Sequence, residues 1–228
     1  VTLEFKNDVA VISVEDDSKE GFKDLRDSYT LYKETDKRKD AEKRGRFNLG
    51  EKQAFSICEK AVVSTTKGTI IFDKNGREES SSRKSIGSEI KVWVKMTEYE
   101  FKEILNAIDI YLVPENIRFF VNGKRKQYLK PHKVFETNIT TEISDGEAMR
   151  RTRRTTKIDT LKTNESYLYE MGIPVAKIEC EFSINVKQKI PLSADRETVS
   201  QTYLRDIFAE VLNNTYEDLK HKIDKDKM

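Results

Sequence analysis

The chain has 228 residues, 36% of them apolar, which is enough for one large domain or two small ones with a buried core. Its 42 basic and 40 acidic side chains leave a formal charge of +2, which excludes a polycation wrapped on nucleic acid and confines any basic patch to a local segment. Membrane insertion, secretion, zinc-cluster and histidine-triad chemistry drop out as well. No apolar run approaches a membrane span, the first residues lack the layout of a signal peptide, Cys58 and Cys180 lie far apart without a CxxC, and His132 and His221 are the only histidines. A reducing, cytoplasmic setting is expected.

Val1, Leu3 and Phe5 alternate with polar residues, and Val9, Val11, Ile12 and Val14 form a second apolar run beyond Lys6-Asn7-Asp8, which predicts a hairpin. The second strand runs into Asp16-Asp17-Ser18-Lys19-Glu20-Gly21-Phe22, a strand-to-loop transition. Charges dominate from Lys23 to Arg46, where a short helix and then a long loop are expected. Past Gly45-Arg46-Phe47-Asn48-Leu49-Gly50, a helix over Glu51 to Ala61 carries Phe55 and Cys58 on one face. The β-prone runs Val62 to Thr66 and Thr69 to Phe72 meet at the Lys67-Gly68 turn, and the polar stretch Glu78 to Ser85 is expected to be a loop. After a strand from Ile90 to Val94, Thr97 and Glu100 form a capping box ahead of the stripe Phe101, Ile104, Leu105 and Ile108, a helix that must finish by Pro114. Ile117 to Val121 and the Asn122-Gly123 turn close this part.

A second α/β part begins near Lys130-Pro131. Strands are predicted at Val134 to Ile143, Thr155 to Leu161, Tyr167 to Tyr169 and Phe182 to Val186. A helix from about Val199 to Leu219 follows, with Val199, Tyr203, Ile207 and Val211 at every fourth residue. The lysine-rich end, residues 221–228, is expected to fray.

Two loops carry the sharpest chemical signal: Asp16 to Phe22, and Gly45 to Lys52. A carboxylate can accept the exocyclic amine of adenine, glycines let backbone amides approach phosphate oxygens, and a helix N-terminus favours their negative charge. Neither loop is a G-x-x-x-x-G-K-[ST] phosphate loop or a G-x-G-x-x-G fingerprint, so a different nucleotide fold is needed.

In their order these loops resemble the GHKL superfamily of ATPases, which includes gyrase B subunits, MutL, MORC proteins, histidine kinases and the ninety-kilodalton heat-shock chaperones. Asp16-Asp17-Ser18 through Gly21-Phe22 looks like the family's D-x-G-x-G box, with Asp16 in the place of the adenine-reading aspartate. Gly45, Arg46, Phe47, Asn48, Leu49, Gly50 and Lys52 resemble the second glycine box, with the charged stretch before it as the ATP lid. Gly87-Ser88-Glu89-Ile90 looks like the later G-T-x-[IV] box, whose hydroxyl helps read adenine. Ser18 and Asn48 stand where the family has glycines, Ser88 stands for threonine, and the first box is one residue longer than usual.

The second part extends the resemblance. Asn185 to Leu192 is similar to the transducer loop of gyrase and MutL, which implies that Lys189 senses the γ-phosphate with Gln188 beside it, and Tyr169 to Val175 is similar to small phage and bacterial ATP-binding proteins of the superfamily. The family's helix before the first box carries a water-activating glutamate and a magnesium-binding asparagine four residues apart. This chain begins at Val1, already in the strands before Asp16 and without methionine, so an absent N-terminal segment is expected, together with weak nucleotide binding and little hydrolysis by the chain as written. Glu210-Val211-Leu212-Asn213-Asn214 repeats the spacing, which leaves a circular permutation as the alternative to a plain packing helix.

Arg150, Arg151, Arg153 and Arg154, with Lys157, form a local patch able to hold a DNA backbone; the alternative is a solvated loop. The expected architecture is a two-layer α/β sandwich of the GHKL type over residues 1–130, lacking its N-terminal helix, followed by a smaller α/β transducer-like domain over 131–220. The resemblance implies binding of ATP with Mg2+, lid closure, ATPase activity in the intact protein, a homodimer and association with DNA. A chaperone-like remodelling ATPase and a nucleotide-regulated scaffold without turnover are the alternatives.

Overall fold

The computed structural model describes residues 1–19, 22, 24–31, 37, 39–43, 50–144, 148–193 and 198–223. The chain is mixed α/β, with mostly antiparallel sheets and few helices. It divides into two compact units, Val1–Thr35 with Gly45–Gln127, and Asp36–Arg44 with Tyr128–Met228. The boundary between the units in the middle of the chain falls between Gln127 and Tyr128. Lys37, Asp40 and Ala41, from the stretch expected as the first domain's lid, belong to the second unit.

In the first unit, β1 (Thr2–Lys6) and β2 (Val9–Asp16) form the expected hairpin through Asn7 and Asp8, both at positive φ, as a two-residue turn of the type favoured by strand twist requires. With β3 (Lys60–Thr65), β4 (Thr69–Asp73), β5 (Gly76–Ser80) and β6 (Ser88–Lys95) they make a six-stranded sheet of order β1-β2-β6-β3-β4-β5. The polar stretch expected to be a loop begins as β5, an exposed edge strand whose polar side chains protect an open edge. Register aligns Leu3, Ile12, Val92, Ala61 and Phe72 in one cross-strand row. On that face α1 (Gly50–Ile57) stacks Phe55 on Phe72 at 5.2 Å, and α2 (Glu98–Ile110) stacks Phe101 on Phe5 at 5.1 Å.

The start of α2 is fixed by its capping box, in which the Thr97 hydroxyl accepts from the Glu100 N–H and the Glu100 carboxylate accepts from the Thr97 N–H. These bonds hold the Glu100 carboxyl below its ordinary range. At the other end the Lys126 ammonium donates to the Ile108 carbonyl at 2.6 Å, placing a cation at the helix C-terminus, and burial pulls its pKa down. Lys126 ends β8 (Lys124–Lys126), which pairs with β7 (Phe119–Val121) through the Asn122-Gly123 turn.

The second unit holds β9 (Lys133–Ser144), β10 (Met149–Leu161), β11 (Tyr167–Glu170), β12 (Ile173–Lys177) and β13 (Ser183–Val186) in the order β12-β11-β13-β10-β9. The arginines 150–154, expected either as a patch or as a loop, lie within β10. β12, which sequence reading left out, returns through Met171-Gly172, both at positive φ. The helix α3 (Gln201–Ile223) starts two residues later and runs four residues further than expected. Tyr203, Ile207 and Val211 are buried with Phe135, Ile139, Ile158, Phe182 and Ile184 in one core.

Within that core the Tyr203 hydroxyl is buried without a hydrogen-bond partner among the described residues, and burial raises its pKa with help from the nearby Glu170 and Asp206 carboxylates. An unpaired hydroxyl costs desolvation that nothing repays. Tyr203→Phe is expected to leave the fold as stable as the native chain or more stable by about 1 kcal/mol, as read from urea unfolding; a loss of stability would mean that the hydroxyl has a partner in solution.

Candidate functional site

Asp16 ends β2 and Ser88 begins β6, and the register sets them directly opposite each other, with Thr65 at the end of β3 on the other side of Ser88. Two sequence boxes about seventy residues apart are therefore neighbours on one sheet edge. All three residues continue the rows of Val14, Ile90 and Val63, the face on which α1 and α2 stack. Asp16 is exposed and its Oδ1 accepts the Ser18 N–H at 2.9 Å, forming an Asx turn that leaves Oδ2 unengaged among the described residues. Ser88 is buried, and its hydroxyl has no protein partner among the described residues. The Thr65 hydroxyl serves the β3–β4 turn instead, donating to the Gly68 carbonyl and accepting the Lys67 N–H.

Gly87 makes this juxtaposition sterically allowed. Its φ is +74°, its N–H donates to the Ser18 carbonyl at 2.9 Å, and a Cβ there would lie 1.8 Å from the Asp16 carbonyl oxygen. Sequence reading found Gly87 as part of a box but missed this reason for it, and it missed Thr65, whose signal was only its place before a Lys-Gly turn.

Of the remaining expected nucleotide contacts, Gly21, Gly45, Arg46, Phe47, Asn48 and Leu49 lie outside the described residues, and Gly50 is the first residue of α1. Lys52 is buried, with its ammonium donating to the Asp27 carbonyl at 2.5 Å, which ties α1 to the 3-10 turn Leu25–Ser28.

Lys189 and Gln188 belong to the second unit and both are buried. The Lys189 ammonium donates to the carbonyls of Lys37 and of Asp40, the latter at 2.8 Å, while its backbone N–H donates to the Ala41 carbonyl at 2.8 Å. The Thr141 hydroxyl donates to the Lys189 carbonyl, and the Gln188 amide donates to the Ile139 carbonyl. Asp40 accepts the Glu42 N–H and pairs with Lys43 at 3.2 Å, and these contacts with the nearby Lys189 charge lower its pKa. The lysine expected to sense a phosphate thus fastens the strap 37–43.

Other expected groups are also engaged. The Glu210 carboxylate accepts from the Thr137 hydroxyl at 2.7 Å, and the Asn214 amide donates to the Glu210 carbonyl, so the E-x-x-x-N pair on α3 is a packing element of the second unit. Strand alternation divides the arginines, with Arg150 and Arg154 on one face of β10 and Arg151 and Arg153 on the other. Arg151 meets Glu142 at 3.2 Å, Arg153 donates to the Asn138 carbonyl at 2.5 Å and lies 3.8 Å from Asp206, and Lys157 is opposite Glu136. Among the described residues no three His, Cys, Asp or Glu side chains converge on a metal position, and no helix is long and apolar enough to cross a membrane.

No protein-family model matches the chain, and no curated protein matches it.

Gly87→Ala should destabilise the first unit by more than about 1 kcal/mol, because both the φ and the clash oppose it; thermal unfolding measures this, and an unchanged midpoint would show that the edge is not packed in this way. Lys189→Met should release the strap. Losing a charge-assisted hydrogen bond of about 1.5–3 kcal/mol predicts roughly ten- to a hundredfold faster tryptic cleavage at Lys37, Lys39 and Lys43.

Proposed function

We propose that the chain is an adenine-nucleotide-binding module of the GHKL type, acting as a cytoplasmic conformational device rather than as a metabolic enzyme. The observation that carries this is the pairing of Asp16 with Ser88. A carboxylate oxygen accepts the N6 amine of adenine, and an adjacent hydroxyl with no protein partner donates to a ring nitrogen or carries a bridging water. The pairing is selective in sign: guanine presents an acceptor where adenine presents a donor, and so faces a carboxylate unfavourably. In this proposal the glycine-rich stretch Gly45 to Gly50 and the N-terminus of α1 receive the phosphates, as glycine backbone and helix-end amides favour anions.

Magnesium accompanies ATP in the family that the chain resembles, but no described cluster supplies ligands for it, and no step here is assigned to it. The strap held by Lys189 is continuous in sequence with the glycine-rich stretch that follows it. In this proposal occupancy is read out through residues 37–43, which lead into that stretch in sequence and are held by Lys189.

A second reading is favoured by the same ammonium. Because Lys189 is already satisfied by strap carbonyls, a nucleotide-regulated scaffold without turnover needs no rearrangement of that side chain. Sustained phosphate release at saturating ATP would overturn the scaffold reading in favour of an ATPase.

Calorimetry with adenylyl imidodiphosphate tests the site itself. Binding should weaken roughly ten- to a hundredfold in Asp16→Asn, as expected for a charge-assisted bond of about 1.5–3 kcal/mol, and by about tenfold or less in Ser88→Ala. No heat with the native chain, or unchanged affinity in Asp16→Asn, would overturn the assignment.

A further inference from the structure

The face of the six-stranded sheet opposite α1 and α2 carries the chain's single tryptophan in a ring of lysines. Trp93 lies in the middle of β6, directly across from Val11 on β2 and Lys60 on β3. Lys91 and Lys95 flank it two residues away on β6, and Lys6 is in the row of Lys95 through Val9. Alternation puts all of these on one face, at strand spacings of about 4.8 Å and two-residue steps of about 6.8 Å. The Lys60 ammonium is 5.3 Å from the centre of the Trp93 ring and the Lys91 ammonium 5.4 Å. Trp93, Val11 and Lys91 are half-buried and the other three lysines are exposed.

Charge on this face is segregated. Glu15 and Glu89 occupy the far row, where Lys84 contacts both and the Ser13 hydroxyl donates to Glu89. The corner around Trp93 carries four lysines against two carboxylates at the ends of the Trp93 row, Glu4 on β1 and Asp73 on β4, and Asp73 Oδ1 accepts the Asn75 N–H. An isolated lysine beside a tryptophan is commonly a solubilising cover. Four cations around one ring on an open antiparallel sheet are a different arrangement: a flat aromatic platform for a base, bordered by charges spaced for successive phosphates. A helical duplex keeps its bases stacked inside and offers no ring to this platform, whereas a single strand presents them.

We propose that this face binds single-stranded nucleic acid, with a base stacked on Trp93 and the phosphates held by Lys60, Lys91, Lys95 and Lys6. On binding, the ammonium groups exchange an exposed ring contact for phosphate oxygens, and the ring is freed for the base; both exchanges favour the complex. The site is independent of the adenine edge, which lies on the opposite face of the same sheet.

Trp93 is its own reporter. Titration of the nucleotide-free chain with oligothymidylate or oligouridylate at low salt should quench its fluorescence saturably. Log affinity should fall with log salt at a slope of about −2 to −3, as four phosphate contacts to a single strand require. The double variant Lys60→Glu, Lys91→Glu should lose at least about tenfold in affinity and flatten the slope by about half. By anisotropy of a labelled oligonucleotide, Trp93→Phe should retain binding within a few fold, while Trp93→Ala should lose about tenfold or more. Absence of quenching, binding unaffected by these substitutions, or equal affinity for duplex would each overturn the proposal. Binding lost instead in Arg150→Ala, Arg154→Ala would overturn it in favour of β10.

Discussion

At the adjoining ends of β2 and β6, backbone approaches backbone so closely that no side chain fits between them. Gly87 lies against the Asp16 carbonyl and donates to Ser18, and this contact holds the Asp16 turn against the start of β6. The proposed chemistry depends on this constraint. A bulkier residue would push the two strand ends apart, and a carboxylate and a hydroxyl that must address one purine edge together would no longer be neighbours. The positive φ and the missing Cβ are a local backbone cost accepted at a place where geometry matters more than propensity.

A comparable constraint organises the second unit through polar groups. Buried Lys189 is surrounded by carbonyl oxygens of the strap, buried Glu170 accepts the Ile190 N–H at 2.7 Å, and Asn185 joins the Gly172 N–H to Asp159, which also pairs with Lys187. A buried charge is tolerable only when hydrogen bonds replace its water. Here those bonds also fix the loop after β13 to the ends of β11 and β9, and they hold a segment drawn from far earlier in the chain. Tyr203, whose hydroxyl finds no partner among the described residues, marks the limit of that satisfaction.

The two faces of the first sheet divide its labour. Apolar rows and paired aromatic stacks give one face to α1 and α2, and the adenine edge continues that face at the strand ends. The other face keeps its long cationic side chains and Trp93 toward solvent. A purely structural sheet face would spread its charges in alternating pairs, as β9 and β10 do with Arg151 and Glu142 or Lys157 and Glu136. Around Trp93 the four lysines outnumber Glu4 and Asp73, and none of the four is in an ion pair among the described residues.

What the sequence determined by itself was local. The β1–β2 hairpin, the Thr97–Glu100 capping box, the Asn122-Gly123 turn and the stripe of Tyr203, Ile207 and Val211 at every fourth residue all follow from spacings of two to four residues, within the reach of backbone dihedrals and side-chain periodicity. The tertiary structure alone decided which residues became neighbours across long separations: Thr65 against Ser88, the Lys37 and Asp40 carbonyls against Lys189, Glu142 against Arg151, and Lys60 against Trp93. β10 shows the boundary, since its alternation was legible at Thr155 to Leu161 but its arginines extended the strand only because β9 was there to pair with them. A partner's identity is set by sheet order and register, which satisfy the whole chain's hydrogen bonds and burial at once, and no window of sequence contains that sum.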